Sequence, residues 1–142
     1  MDTLFAAEQP ILERLRSTLP ECRQVQGARE LNGITARTGA TPALHLIFDG
    51  HEPLLHAAGE QALEQRWLVV VTIRNLREAE GGDGERAEAG PLLLRVCRAL
   101  IGWSPSPEHG PLRLITTPGA RFVPGAALFP LRFATRIVTG GS

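Results

Sequence analysis

Lysine is absent from this chain. All 15 basic residues are Arg, and 15 acidic residues match them. The balance leaves no surplus of cations to displace counterions from phosphates, which non-specific nucleic-acid binding requires, so direct nucleic-acid readout is not expected. An all-Arg complement is what biased coding in a GC-rich genome produces. It also suits protein interfaces, because the planar guanidinium pairs bidentately and is weakly hydrated. Long apolar runs are missing too. The longest, Trp67 to Val71, falls far short of the roughly 20 residues that span a bilayer. No basic stretch followed by an apolar one opens the chain as a secretory signal would. Cysteine is scarce: Cys22 and Cys97 are too few for a disulfide framework and form no CxxC motif. Cys97, among Val96, Leu100 and Ile101, reads as a small buried apolar residue. Both thiols are expected to be reduced, in an intracellular setting.

What is present is the composition of an ordinary globular domain. The 142 residues are 43% hydrophobic and 21% charged, which predicts one domain over 1–142. Leu4, Ile11, Leu12, Leu15 and Leu19 fall near helical spacing, with Pro10 as the first regular helical residue and Pro20 as the stop. Val25 suggests a short strand, and Ala28 to Leu31 one helical turn ended by Asn32-Gly33. Leu44, Leu46 and Phe48 alternate with Ala43, His45 and Ile47, a strand that Asp49-Gly50 should end as a turn. The longest strand signal runs from about Ala62 to Asn75, with Leu63, Trp67, Val69, Val71 and Ile73 on one face and only Gln65 interrupting it.

Glu78 to Glu88 combines Gly81, Gly82 and Gly84 with Glu78, Glu80, Asp83, Glu85 and Glu88, and reads as a mobile loop. Gly90-Pro91 should then start a helix whose stripe is Leu93, Val96, Cys97, Leu100 and Ile101, stopped by Gly102. Strands are predicted at about 112–116, 121–123 and 127–138. In the last, Phe129, Leu131, Phe133 and Ile137 share one face, and Pro130 argues for an edge or a bulge. This order of elements predicts an α+β fold: a mainly antiparallel sheet with two main helices on one face.

No catalytic constellation stands out. His51 and His56 flank Glu52 at a spacing that matches neither HExxH nor a zinc-finger pair. Ser17, Ser104, Ser106 and Ser142 lie outside any GxSxG. Gly81-Gly82-Asp83-Gly84 lacks the Lys-Ser/Thr of a phosphate loop, and its acidic neighbours would repel a phosphate. Glu60 and Glu64 read as solvated acids. No cofactor and no metal site are expected. Trp103, in Gly102-Trp103-Ser104-Pro105, and Phe122, before Pro124-Gly125, read first as caps on the core and second as braces for a loop at an interface.

These last residues, taken with Trp67 to Val71, carry a resemblance. The chain resembles the small tail terminator (tail-completion) proteins of tailed phages and Mu-like prophages. The match comprises a helix ending in Leu-Pro, Thr41-Pro42-Ala43-Leu44 leading to Phe48-Asp49-Gly50, and the Gln65-Arg66-Trp67 strand. A Gly-rich loop, a helix running into Gly102-Trp103-Ser104-Pro105, and Ala-Leu-Phe-Pro-Leu at 127–131 complete it. The resemblance implies a fold similar to that of lambda minor tail protein U. It implies a non-enzymatic virion tail protein, assembled in the bacterial host cytoplasm. Such a protein would form a ring, a homo-hexamer, on the tail tube protein, stop tube polymerisation and offer a surface to the head-tail connector protein.

The residues themselves add candidate interface positions. Arg132 and Arg136 could pair with acids of a neighbouring subunit, Arg74 and Arg77 could face a lumen or partner, and Trp103 and Phe122 could brace a contact loop. Solvated charge is the plainer reading of the four Arg. A small-molecule-binding or regulatory α+β domain is the second reading, to be recognised by a closed apolar pocket with convergent polar groups. An enzyme is the third, for which no acid–base or nucleophile pair is visible.

Overall fold

The computed structural model describes residues 2–34, 41–54, 59–74 and 83–140. Two long strands form its axis. β3 (Glu60–Arg74) and β6 (Ala126–Gly140) have 15 residues each and pair antiparallel along their whole length. At about 3.3 Å per residue they extend roughly 50 Å. β2 (Ala43–Pro53) pairs antiparallel with β3, and β1 (Gln24–Ala28) adds the only parallel pairing among the described strands. On the far side of β6 lie two short strands, β4 (Arg113–Ile115) and β5 (Arg121–Val123). The order across the sheet is thus β1-β2-β3-β6-β4, with β5 beside β6 as well.

Both helices cover one face. α1 (Glu8–Thr18) buries Ile11, Leu12 and Leu15, and α2 (Asp83–Leu100) buries Ala89, Leu92, Val96, Ala99 and Leu100. Beneath them the sheet contributes Leu44, Leu46, Trp67, Val69, Val71, Ile73, Phe129 and Phe133, all in one core cluster. These alternate with neighbours that point to the opposite face, as a pleated strand requires. The expected α+β architecture, with both helices on one side, is what the molecule has. Arg14 ties the helical layer together: its Nε donates to the Ala99 carbonyl at 2.5 Å and its guanidinium lies 4.8 Å from the Trp103 ring centre. Arg95 does the same from α2, donating to the Thr18 carbonyl at 2.6 Å and pairing with Glu21.

The N-terminal turn is held down by a buried amide. Trp67 Nε1 can only donate, and it donates to Gln65 Oε1 at 2.8 Å. That fixes the amide, so its NH₂ group faces the Leu4 carbonyl at 2.5 Å and His51 Nε2 at 3.0 Å. The His51 nitrogen is therefore the acceptor. Phe5 then stands edge-on to Phe48 at 5.0 Å.

The structure corrects the sequence reading at several places. Asp49-Gly50 does not end β2; the strand continues to Pro53 through a register shift between Phe48 and His51, with Gly50 at φ 96. A bulge and a turn both call for a residue that tolerates positive φ, so the local signals are alike. The last strand is not an edge. Pro130 O and Arg132 N both engage the Thr117 hydroxyl, so the missing N–H of Pro130 faces the gap between β4 and β5, where no ladder bond is interrupted. Asp83 to Glu88 belongs to α2 and not to a loop; 78–82 lie outside the described residues. Pro91 sits inside α2 and not at its start. The buried stripe of α2 is rotated from the expected one, leaving Leu93 and Cys97 half-buried and Ile101 exposed.

Candidate functional site

The face of the sheet away from the helices has two halves. At one end Ile47, Leu68, Val70, Ala126 and Leu128 pack with Ile34 into a small second cluster. At the other, the same alternation brings charges from β2, β3, β4 and β6 side by side. Arg132 Nε donates to Asp49 Oδ2 at 2.6 Å and Arg132 Nη1 to the Thr116 carbonyl at 3.0 Å. Glu64, mostly buried, lies 3.0 Å from Arg113 Nη2 and 3.7 Å from Arg66 Nε, and Arg66 also pairs with Glu52. Glu52 and Glu64 are register partners; like charges directly opposite repel, and Arg66 between them relieves this. Arg136, exposed, is the register partner of Glu64 on β6. The result is an open, largely self-neutralised charged stripe in which, among the described residues, four Arg face three acids.

The predicted interface residues fall in different places. Arg132 and Arg136 share this stripe, and Arg132 already has partners within the chain. Arg74 is exposed at the far end of β3, opposite Ala126; Arg77 lies outside the described residues. Trp103 is half-buried against Arg14, and its backbone exchanges hydrogen bonds with Leu100 and Leu112. Phe122 is 50% exposed, its ring edge-on to Phe129 at 6.1 Å. The structure thus brings Arg132 and Arg136 together and leaves Arg74, Trp103 and Phe122 apart from them.

One polar contact escaped sequence reading. Ser106 Oγ lies 2.6 Å from His109 Nδ1 and 3.0 Å from Glu108 Oε2. The hydroxyl proton goes to the carboxylate, so the Ser oxygen accepts from His109 Nδ1–H. That is the reverse of a base activating a nucleophile. The contact with Ser106 holds the Glu108 carboxyl below its usual range, and burial holds His109 low. This is a turn that docks His109 against Ile137. His56, of the suspected pair, lies outside the described residues, and His51 serves Gln65. Among the described residues no three potential metal ligands gather. No described helix is long and apolar enough to cross a membrane.

A hollow of about 440 Å³ lies beside β1, lined by Gln24, Gln26, Arg29, Glu30 and His45 among others. It is open and polar, unlike the closed apolar pocket a small-ligand domain would carry. His45, buried, has no partner for Nδ1 among the described residues, and desolvation lowers its pKa.

The family model for phage tail terminator protein matches residues 1–141. This chain belongs to the phage tail terminator family. It is therefore a structural component of a phage-type tail, located in the virion tail. Among solved structures, a chain from the "Virion of native gene transfer agent (GTA) particle" superposes with a TM-score of 0.63 at 13% identity, covering 98% of this chain and 100% of that chain. At that identity the likeness is one of fold. No curated protein matches.

Proposed function

We propose that this terminator closes the end of the tail tube as a ring of its own copies, a hexamer, and presents the outer surface of that ring to the head-tail connector. The match to the terminator family over nearly the whole chain carries the reading. Physical support comes from the open sheet face: Arg66, Arg113 and Arg132 already have acids beside them and can meet a partner without being stranded, while Arg136 is left to pair with an acid of the neighbouring subunit. Arg136, Arg74, Trp103 and Phe122 are the proposed contact positions, with Arg132 positioning the stripe through Asp49. The acidic stretch Glu78 to Glu88 is a proposed contact with the tube. Electron microscopy of particles from a strain lacking the gene tests this. Overlong or headless tails are expected; tails of normal length joined to heads would refute it.

A further inference from the structure

α2 is apolar on both sides. Opposite its buried stripe, Ala87, Gly90, Pro91, Leu94, Arg98 and Ile101 are all exposed, with Leu94 at 49% and Ile101 at 50%. At 100° per residue these positions form one continuous face pointing away from the sheet. Large apolar side chains exposed together on one outward face mark a candidate interaction site. Arg98, the sole charge within this face, has no ion-pair partner among the described residues.

The charge decides the occupant. Two copies meeting α2 to α2 would bring Arg98 no counter-charge, since none of these outward positions is acidic. The other exposed large apolar side chains among the described residues are Leu4, Phe5, Leu114, Phe122 and Val138. Leu114 and Phe122 stand next to Arg113 and Arg121, and Val138 is on the same strand face as Arg136. Only Leu4 and Phe5, 37% and 49% exposed, are flanked by acids: Asp2, which is exposed, and Glu8, half-buried with its carboxylate beside Gly27; neither forms an ion pair among the described residues. The amide of Gln65 holds this turn rigid, so little ordering entropy opposes its use.

We propose that the N-terminal turn of one copy, Leu4 and Phe5 with Asp2 and Glu8, docks on the outward face of α2 in the next, around Leu94, Arg98 and Ile101. The contact joins two different patches, so it is head-to-tail, the type that closes into a ring when the rotation fits. The assignment rests on the ring reading above and names its subunit contact.

The test uses the full chain with a photo-cross-linking phenylalanine at position 94. Unlabelled and ¹⁵N-labelled chains are mixed on tail tubes from a deletion strain. Cross-links joining position 94 of one isotope to residues 2–9 of the other are expected. Cross-links from α2 to α2, from α2 to tube protein, or none at all would overturn the docking. In parallel, Arg98→Glu and the pair Asp2→Arg, Glu8→Arg should each cut tube-bound protein about tenfold, and their combination should restore it. All three sites are outside the core, and unchanged thermal melts establish folding. If the wild-type chain never gathers at tube ends, the ring reading fails and the contact with it. If it gathers and Leu94→Asp gathers equally, the docking alone is wrong.

Discussion

Replacing Gln65 with leucine isolates the contribution of one buried amide. Gln65 is fully buried between Trp67 and the N-terminal turn. Leucine is close in volume, so the cavity contribution is small. What is lost is polar. The Trp67 indole N–H is left without an acceptor in a side chain only 1% exposed, which costs about 1–3 kcal/mol. The bond to the Leu4 carbonyl contributes about a further 1 kcal/mol. The sum, about 3 kcal/mol, lowers Tm by roughly 10 °C for a domain of this size. Circular dichroism melts give the midpoint, and tryptophan fluorescence in a Trp103→Phe background reports the altered surroundings of Trp67. Hydrogen exchange at residues 4–7 should quicken more than exchange in β6. A variant melting within about 2 °C of the wild type, with unchanged exchange at the N-terminus, would refute the clasp and the rigidity assigned to Phe5.

Two further expectations concern stability. His45 and His109 are both held neutral by burial, so their pKa values are lowered. The unfolded chain then binds more protons below its ordinary His value of about 6.5, and stability falls as pH drops through that value toward the depressed ones. The slope is at most about 1.4 kcal/mol per pH unit for each group; urea titrations at pH 7.5, 6.5 and 5.5 measure it, and His45→Asn should flatten it. Arg14→Ala removes the cap on Ala99 and the cation over Trp103 together. A loss of about 1–2 kcal/mol is expected, read as a shift in the denaturation midpoint with unchanged slope.

Much of the fold was legible because period-two and period-3.6 patterns are strong in this chain. β3 showed its buried face through Trp67, Val69, Val71 and Ile73. The single polar residue on that face, Gln65, marked where the clasp would be, although its partners Leu4 and His51 are distant in sequence. The errors share a physical cause: one local signal serves two structures. Gly50 with positive φ can end a strand or bulge it. Pro130 needs only a place where no N–H is wanted, which an edge and a gap between β4 and β5 both supply. In α2, apolar residues lie on both sides, so periodicity could not fix which stripe turns inward. That same ambiguity hid the outward face of Leu94 and Ile101. The charged stripe was half visible: Arg132 and Arg136 were identified, but Asp49 depended on a bulge that only pairing reveals.

The position of β6 has a consequence for when a newly made subunit becomes complete. It is the final strand of the described chain, yet it lies inside the sheet, with β3 on one flank and β4 and β5 on the other. Until those residues leave the ribosome, β3 has an open edge along its full length and β4 and β5 have nothing to pair with. Long-range pairing of this kind closes late. A nascent or truncated polypeptide thus lacks the strand that joins the two halves of the sheet, and only a finished subunit carries the whole folded surface.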